Sequence, residues 1–254
     1  MQNTMPRAMR TQQRGVALFT VIVFVLLSML LAMWASRSSL FNEMVVGNDA
    51  DYQRAFEAAQ ALLQDAELDI RGENPDGSMC VGAVNVCRTT TDEKIPLEAK
   101  EIGPLLGSLE TYTAQCRNGL CAKRLGSQDF WNNADESKGI TLTQMTQTRA
   151  DGTTAGARYG QFTGAQWETA AAKPVNPILA DRTASTRGGW YWIEVLRYDE
   201  SSKSAGVVVG GPNNLLPLNL TPSVIYRITA LARGLKPNTT VVLQQTYARQ
   251  KLKD

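Results

Sequence analysis

Twenty consecutive residues, Val16 through Ala35, contain no charge, no proline and no glycine. A helix of this composition has no polar face, so lipid or other apolar chains must cover it all round. At 1.5 Å per residue it would be about 30 Å long, the thickness of the hydrocarbon core of a bilayer. Its polar members, Thr20 and Ser28, can return their hydroxyls to helix carbonyls. Trp34 suits the interfacial belt, and Arg37 can reach headgroups. Arg7, Arg10 and Arg14 precede the run, and no acidic residue appears before Glu43. That asymmetry predicts a single-pass anchor with a cytoplasmic N-terminus and the bulk of the chain outside. A cleaved secretory signal has a shorter apolar region ending in small residues. Here Leu31-Ala-Met-Trp-Ala35 puts Met and Trp where small residues are needed, so an uncleaved helix over 16–36 is expected.

The next segment, 37–71, also reads as helix but with two sides. Tyr52, Ala55, Phe56, Ala59, Leu62, Leu63, Ala66 and Ile70 recur at helical spacing, and Asp51, Arg54, Glu57, Gln60, Gln64, Asp65 and Asp69 are assigned to the opposite, solvated side. If continuous with the apolar run, the helix reaches about 84 Å before Gly72, Asn74, Pro75 and Gly77 end it.

Residues 72–187 are loop-rich, and Thr141 to Gly164, poor in large apolar residues, reads as a surface loop. Residues 188–254 read as β-sheet. Trp190 to Tyr198 is strand-like in its aromatic and branched residues. Val224 to Arg233 alternates, with Val224, Tyr226, Ile228 and Ala230 on one side and Arg227, Thr229 and Arg233 on the other. Thr240 to Arg249 is a further strand, joined to the preceding one by a turn over Gly234–Asn238. An antiparallel sheet laid on the amphipathic half-helix would bury both apolar faces, giving an α+β head.

Chemistry is conspicuous by what is missing. The 254 residues include no histidine, which removes His-based nucleophile activation and imidazole metal ligation. No phosphate-binding, nucleophile-elbow or dinucleotide motif is present, and no cofactor or metal site is expected. Asp49/Asp51 and Glu57/Asp65 read as a solvated helix face, and Asp92, Glu93, Glu98 and Glu101 as an acidic loop rather than a cation site. Trp190, Tyr191 and Trp192 read as strand core rather than a binding platform. Arg227 and Arg233 read as an exposed strand face, and a net charge of +2 gives no reason to expect nucleic acid. Cys80, Cys87, Cys116 and Cys121 all lie in the exported part. Their C-x6-C and C-x4-C spacings fit no common zinc site, and an oxidising compartment favours disulfides. Three connectivities are open; linking 80 to 116 would stabilise by about 4 kcal/mol in the entropy model, against about 2 kcal/mol for either local pair.

Gln13-Arg14-Gly15-Val16-Ala17-Leu18-Phe19-Thr20 resembles the processing site of type IV pilins, a basic leader and a Gly followed by an apolar helix. The segments Arg37–Asn48 and Arg54–Glu67, the motif Cys116-Arg-Asn-Gly-Leu-Cys121, and the closing Tyr226–Ala230 and Val241–Tyr247 are similar to the PilX family of minor pilins. The resemblance implies cutting after Gly15 by a prepilin peptidase, methylation of Val16, and a mature chain of 239 residues with formal charge −1. It also favours the local disulfides 80–87 and 116–121. Most pilins carry Glu at the fifth mature position, where Thr20 stands here; that Glu offsets the N-terminal ammonium of a neighbour in the fibre. The resemblance further implies inner-membrane residence, then a place at the pilus tip on the cell surface. Its implied partners are other minor pilins, the major pilin, the inner-membrane assembly machinery and membrane lipid, with twitching motility as the cellular output. Two rivals stand beside it. A pseudopilin of a type II secretion system can also lack the Glu, but the tip member of that family carries a large helical insertion and 72–187 shows no long amphipathic helix. A membrane-anchored periplasmic enzyme or sensor needs a catalytic or ligand constellation that the sequence does not supply.

Overall fold

The structure, a computed structural model, describes residues 16–82, 86–90, 93–124, 129–168, 175–197 and 224–249. It divides into two units, the first ending at Ala50 and the second beginning at Asp51. Helix α1, Val16–Arg71, contributes to both. In the first unit every large apolar side chain from Val16 to Val46 is exposed. Among the described residues nothing buries these side chains.

In the second unit α1 buries Ala55, Ala58, Ala59, Leu62, Ala66 and Ile70. Four of the six are alanine, which lets the helix backbone approach its neighbour closely. The helix stops where the sequence places glycine. Gly72 has φ +70°, its N–H donates to the Asp69 carbonyl at 3.1 Å, and the Glu73 N–H donates to Leu68 at 3.0 Å. This paired return satisfies the last helical carbonyls and needs the left-handed conformation that glycine adopts without strain.

Five strands form one sheet in chain order: β1 (Cys116–Arg117), β2 (Leu120–Cys121), β3 (Gly189–Arg197), β4 (Val224–Arg233) and β5 (Thr240–Tyr247). The three long strands pair antiparallel, and β2 joins β3 in parallel, with Leu120 opposite Ile193. The three long strands are the antiparallel C-terminal sheet expected from the sequence, and the parallel β2 added at its edge makes the whole sheet mixed. The added strands come from the Cys116–Cys121 motif. Asn118 (φ +49°) and Gly119 (φ +82°) form its two-residue turn, the Asn-Gly chemistry that matches strand twist. The Gly119 carbonyl then accepts from Ile193 N–H at 2.7 Å, so the hairpin is stitched into the sheet.

Both faces of the sheet are covered. One face meets α1 residues 51–71, helix α2 (Ala99–Leu109) and the short α4 (Pro177–Ala180) around Tyr191, Ile193, Tyr226 and Ile228. The other packs Trp190, Trp192 and Leu231 against Cys116, Cys121, Phe130, Leu142, Met145 and Ala155. This second core corrects the reading of Thr141–Gly164 as a surface loop. Thr141 and Gln144 form a capping box at the start of α3 (Leu142–Thr146), a T-x-x-Q signature legible in the sequence. The Met145 carbonyl accepts the Trp192 indole N–H at 3.2 Å, and a Cβ at Gly156 would lie 2.8 Å from that indole nitrogen. A segment of small residues was needed because the tryptophans already fill the space. Trp190, Tyr191 and Trp192 are all fully buried.

Gly119→Ala tests the stitch. A side chain there must adopt a positive φ and meets the Ala157 Cβ at 2.6 Å, so the substitution should destabilise the full chain in detergent by about 2 kcal/mol or more. Thermal unfolding followed by near-UV circular dichroism checks this.

Candidate functional site

In a chain built for packing, the candidate site consists of the surfaces and the internal ties that shape them. The first surface is the apolar part of α1. Val16 is its first helical residue; Arg14 and Gly15, expected to flank a processing site, lie outside the described residues. Thr20 Oγ1 donates to the Ala17 carbonyl at 2.9 Å and Ser28 Oγ donates to Val25 at 2.8 Å. Both hydroxyl protons are thus satisfied inside the helix. Trp34 and Arg37 are both exposed. The helix is long and apolar enough to cross a membrane and is a candidate anchor.

The head is tied together by acidic side chains that the sequence reading placed on a solvated face. Asp51, Asp65 and Asp69 are 2%, 1% and 4% exposed. They sit on the same stripe as Ala55, Ala58 and Leu62, whereas Tyr52, expected on the stripe, is outside it and exposed. The correction has a simple cause: a carboxylate can enter a core when backbone N–H groups or a cation meet it there. The positional signal was available, because 51, 55, 58, 62, 65 and 69 follow the alternating spacing of four and three of one helix face.

Each carboxylate holds a different loop. Asp51 accepts the N–H groups of Leu235 (2.9 Å) and Lys236 (3.1 Å), fixing the β4–β5 turn. Burial opposes its ionisation, but hydrogen bonds from Thr239, Lys236 and Leu235 outweigh that and lower its pKa. Asp65 accepts the Gly160 N–H at 2.7 Å and the Thr163 hydroxyl. Burial dominates there and raises its pKa to about 7, against the pull of Thr163 and Gly160 and with the negative charge of Asp69 one turn away. Asp69 receives Arg88 through two bonds, Nε at 2.7 Å and Nη2 at 2.8 Å, and the Tyr191 hydroxyl at 2.8 Å. Arg88 Nη2 also donates to the Asn118 carbonyl at 2.7 Å, and the guanidinium lies 3.7 Å from the centroid of the Phe162 ring.

The cysteines frame this junction. Cys80 is bonded to Cys87 and Cys116 to Cys121. The first bond closes the loop immediately before Arg88, and the second closes the hairpin that supplies Asn118. Two loops distant in sequence are thus held against one helical carboxylate.

A second buried tie escaped the sequence reading. Glu194, fully buried on β3, accepts from the Arg124 backbone N–H (2.9 Å) and Nε (3.2 Å) and from Arg227 Nε (2.5 Å). Burial raises its pKa, and the hydrogen bond from Arg227 and the charge of Arg124 more than reverse this, so its pKa is lowered. Arg227 is consequently a half-buried partner and not part of an exposed face. The signal was an acid inside an aromatic strand at a position that pairs directly with Arg227. Of the acidic loop residues, Glu101 accepts the Leu97 and Glu98 N–H groups at the start of α2, and Glu93 accepts from Asn118 Nδ2; Asp92 lies outside the described residues. Among the described residues no group of three metal-ligating side chains converges.

A long apolar helix whose second part packs on a β-sheet is the pilin-like α+β arrangement. The PilX N-terminal family model matches residues 14–64, and the model of the type IV pilus assembly protein PilX C-terminal region matches residues 117–249. The latter alone spans more than half of the chain, and the protein belongs to the PilX family of type IV pilus assembly proteins. No curated protein and no solved structure matches it. The family is a structural and assembly family, and membership implies interaction with other components of the type IV pilus.

Two measurements probe the ties. Arg88→Met leaves Asp69 buried without its cation and should cost about 3–5 kcal/mol; the double variant Asp69→Asn/Arg88→Met should recover part of that loss in chemical denaturation. Asp65 binds its proton more tightly in the folded state (pKa about 7) than at the ordinary aspartate value of 3.8. Its protonation therefore favours folding: the contribution is complete below about pH 4 and is lost as pH rises through 7. Thermal melts from pH 5 to pH 8 should show wild-type stability falling more steeply than that of Asp65→Asn.

Proposed function

We propose that the chain is a minor pilin that primes assembly of a type IV pilus and occupies its tip. The carrying observation is Thr20. Cutting after Gly15 makes it the fifth residue of a helix otherwise built to stack among similar helices. A carboxylate at that position would balance a neighbour's N-terminal ammonium within a fibre; a threonine offers only its hydroxyl oxygen, whose proton is already committed to Ala17. A repeated stack of such subunits would bury ammonium groups without an opposing charge. One copy at an end leaves few such contacts unmet.

Mechanistically, the apolar segment waits in the inner membrane and associates sideways with the helices of other minor pilins. Lipid supplies no hydrophobic drive between helices, so fit and polar contacts decide the pairing. The head, held rigid by its buried ties, presents loops of fixed shape to partner heads. Prepilin peptidase releases the leader and exposes Val16 for methylation.

The test combines processing with placement. Gly15→Val should leave the chain uncut, seen as retention of the leader by mass spectrometry, and should reduce piliation at least tenfold in the same cells. Immunogold labelling of sheared wild-type fibres should decorate ends. Regular decoration along the shaft would overturn the tip assignment, and normal fibres with uncut protein would overturn the requirement for processing.

A further inference from the structure

We propose that the free edge of β5 is a strand-acceptor site, completed by an extended, uncharged segment of a different pilus component. This rests on membership in a pilus assembly complex, not on the tip position. Strand β5 is the last in the sheet, and among the described residues nothing pairs with its outer edge. The hydrogen-bond phase of that edge follows from one contact. Gly234 N–H donates to the Thr239 carbonyl at 2.8 Å, and bonded and non-bonded pairs alternate along an antiparallel ladder. Positions 241, 243, 245 and 247 therefore bond to β4, while the backbone groups of Thr240, Val242, Gln244 and Thr246 point outward.

Exposed edges are ordinarily blunted by lysine, proline or a bulge, because unpaired backbone groups recruit other strands. None of these devices is present. The strand Thr-Val-Val-Leu-Gln-Gln-Thr-Tyr has no charge and no proline, and its eight pairs with β4 run without a break from Tyr226–Tyr247 to Arg233–Thr240. Its two sides specify the guest. Val241, Leu243 and Tyr247 pack toward the core shared with α1, so apolar residues should recur at alternate positions on that side of an added strand. Thr240, Gln244 and Thr246 are exposed on the other side, where hydroxyl and amide side chains match them.

A second copy paired antiparallel does not fit the site. Antiparallel pairing of two identical β5 strands in one continuous sheet turns one head by 180° about the sheet normal. Residues 51–71 of α1 lie on the sheet face, so that rotation reverses their direction in one copy. Subunits whose helices enter the same membrane with the same polarity cannot make this pair. A non-identical chain escapes this constraint and is the guest proposed.

The experiment places a photo-crosslinking phenylalanine derivative at Thr246 in the full-length protein, in cells that assemble pili, and maps adducts by mass spectrometry. The expected product is an adduct to another pilus component through an extended segment without charged residues. In parallel, Thr246→Pro and Thr240→Pro each remove one outward N–H and spare the β4 ladder, which edge positions tolerate; each should lower piliation at least fivefold at unchanged protein level, and Thr240→Pro should also lower the yield of the adduct formed from position 246. Thr246→Lys, which keeps the backbone intact, should lower piliation likewise by adding an edge charge. No adduct, an adduct only to a second copy, an adduct through a helix, or normal piliation of all three variants would overturn the proposal. Adducts persisting while immunogold label runs along the shaft would overturn the tip assignment and leave the strand acceptor standing.

Discussion

The head of this protein depends on one buried ion pair. Asp69 enters the interior near the end of α1 and is met there by Nε and Nη2 of Arg88 and by the Tyr191 hydroxyl from the sheet. A buried carboxylate without partners would be severely destabilising, so each partner must be delivered accurately. Delivery falls to covalent loops. Cys80–Cys87 sets the approach of Arg88, and Cys116–Cys121 sets the turn whose Asn118 carbonyl receives the same guanidinium. Helix, sheet and two crosslinked loops thereby converge on one point, and the apolar contacts around it need supply only bulk.

The same logic repeats with smaller stakes at Asp51 and Asp65, each capturing backbone N–H groups from a different connection. Their energetic characters diverge. Asp51 is stabilised as an anion by the turn it holds, whereas burial makes Asp65 reluctant to ionise. Glu194 shows a third solution, an anion inside the sheet neutralised from two sides by arginines. Polar groups, and not only apolar ones, decide where the long connections lie.

The elements built on strong local patterns were legible in the sequence. The apolar run, the glycine stop after α1, the three long strands and the Gly234–Asn238 turn all follow from periodicity and turn chemistry. The mixed sheet was not, because a two-residue strand has no periodicity and its pairing with β3 depends on a tertiary contact. Thr141–Gly164 misled for a related reason: its alanines and glycines are few-contact residues alone and become core only beneath Trp190 and Trp192. Aspartates 51, 65 and 69 were assigned to water by residue type, although their spacing placed them with the alanines. The roles of Gly15 and Thr20 rested on resemblance, since helical geometry at Thr20 gives a hydroxyl bond that any apolar helix could contain.

The covering of the sheet on both sides carries a broader consequence. Once helix and loops roof the two faces, little of the strand framework is left for a neighbour except its margins and the tips of its connections. Recognition can then be rewritten at the periphery, residue by residue, without disturbing the interior that keeps the subunit upright. Such an arrangement lets related subunits share one chassis while each acquires its own neighbours.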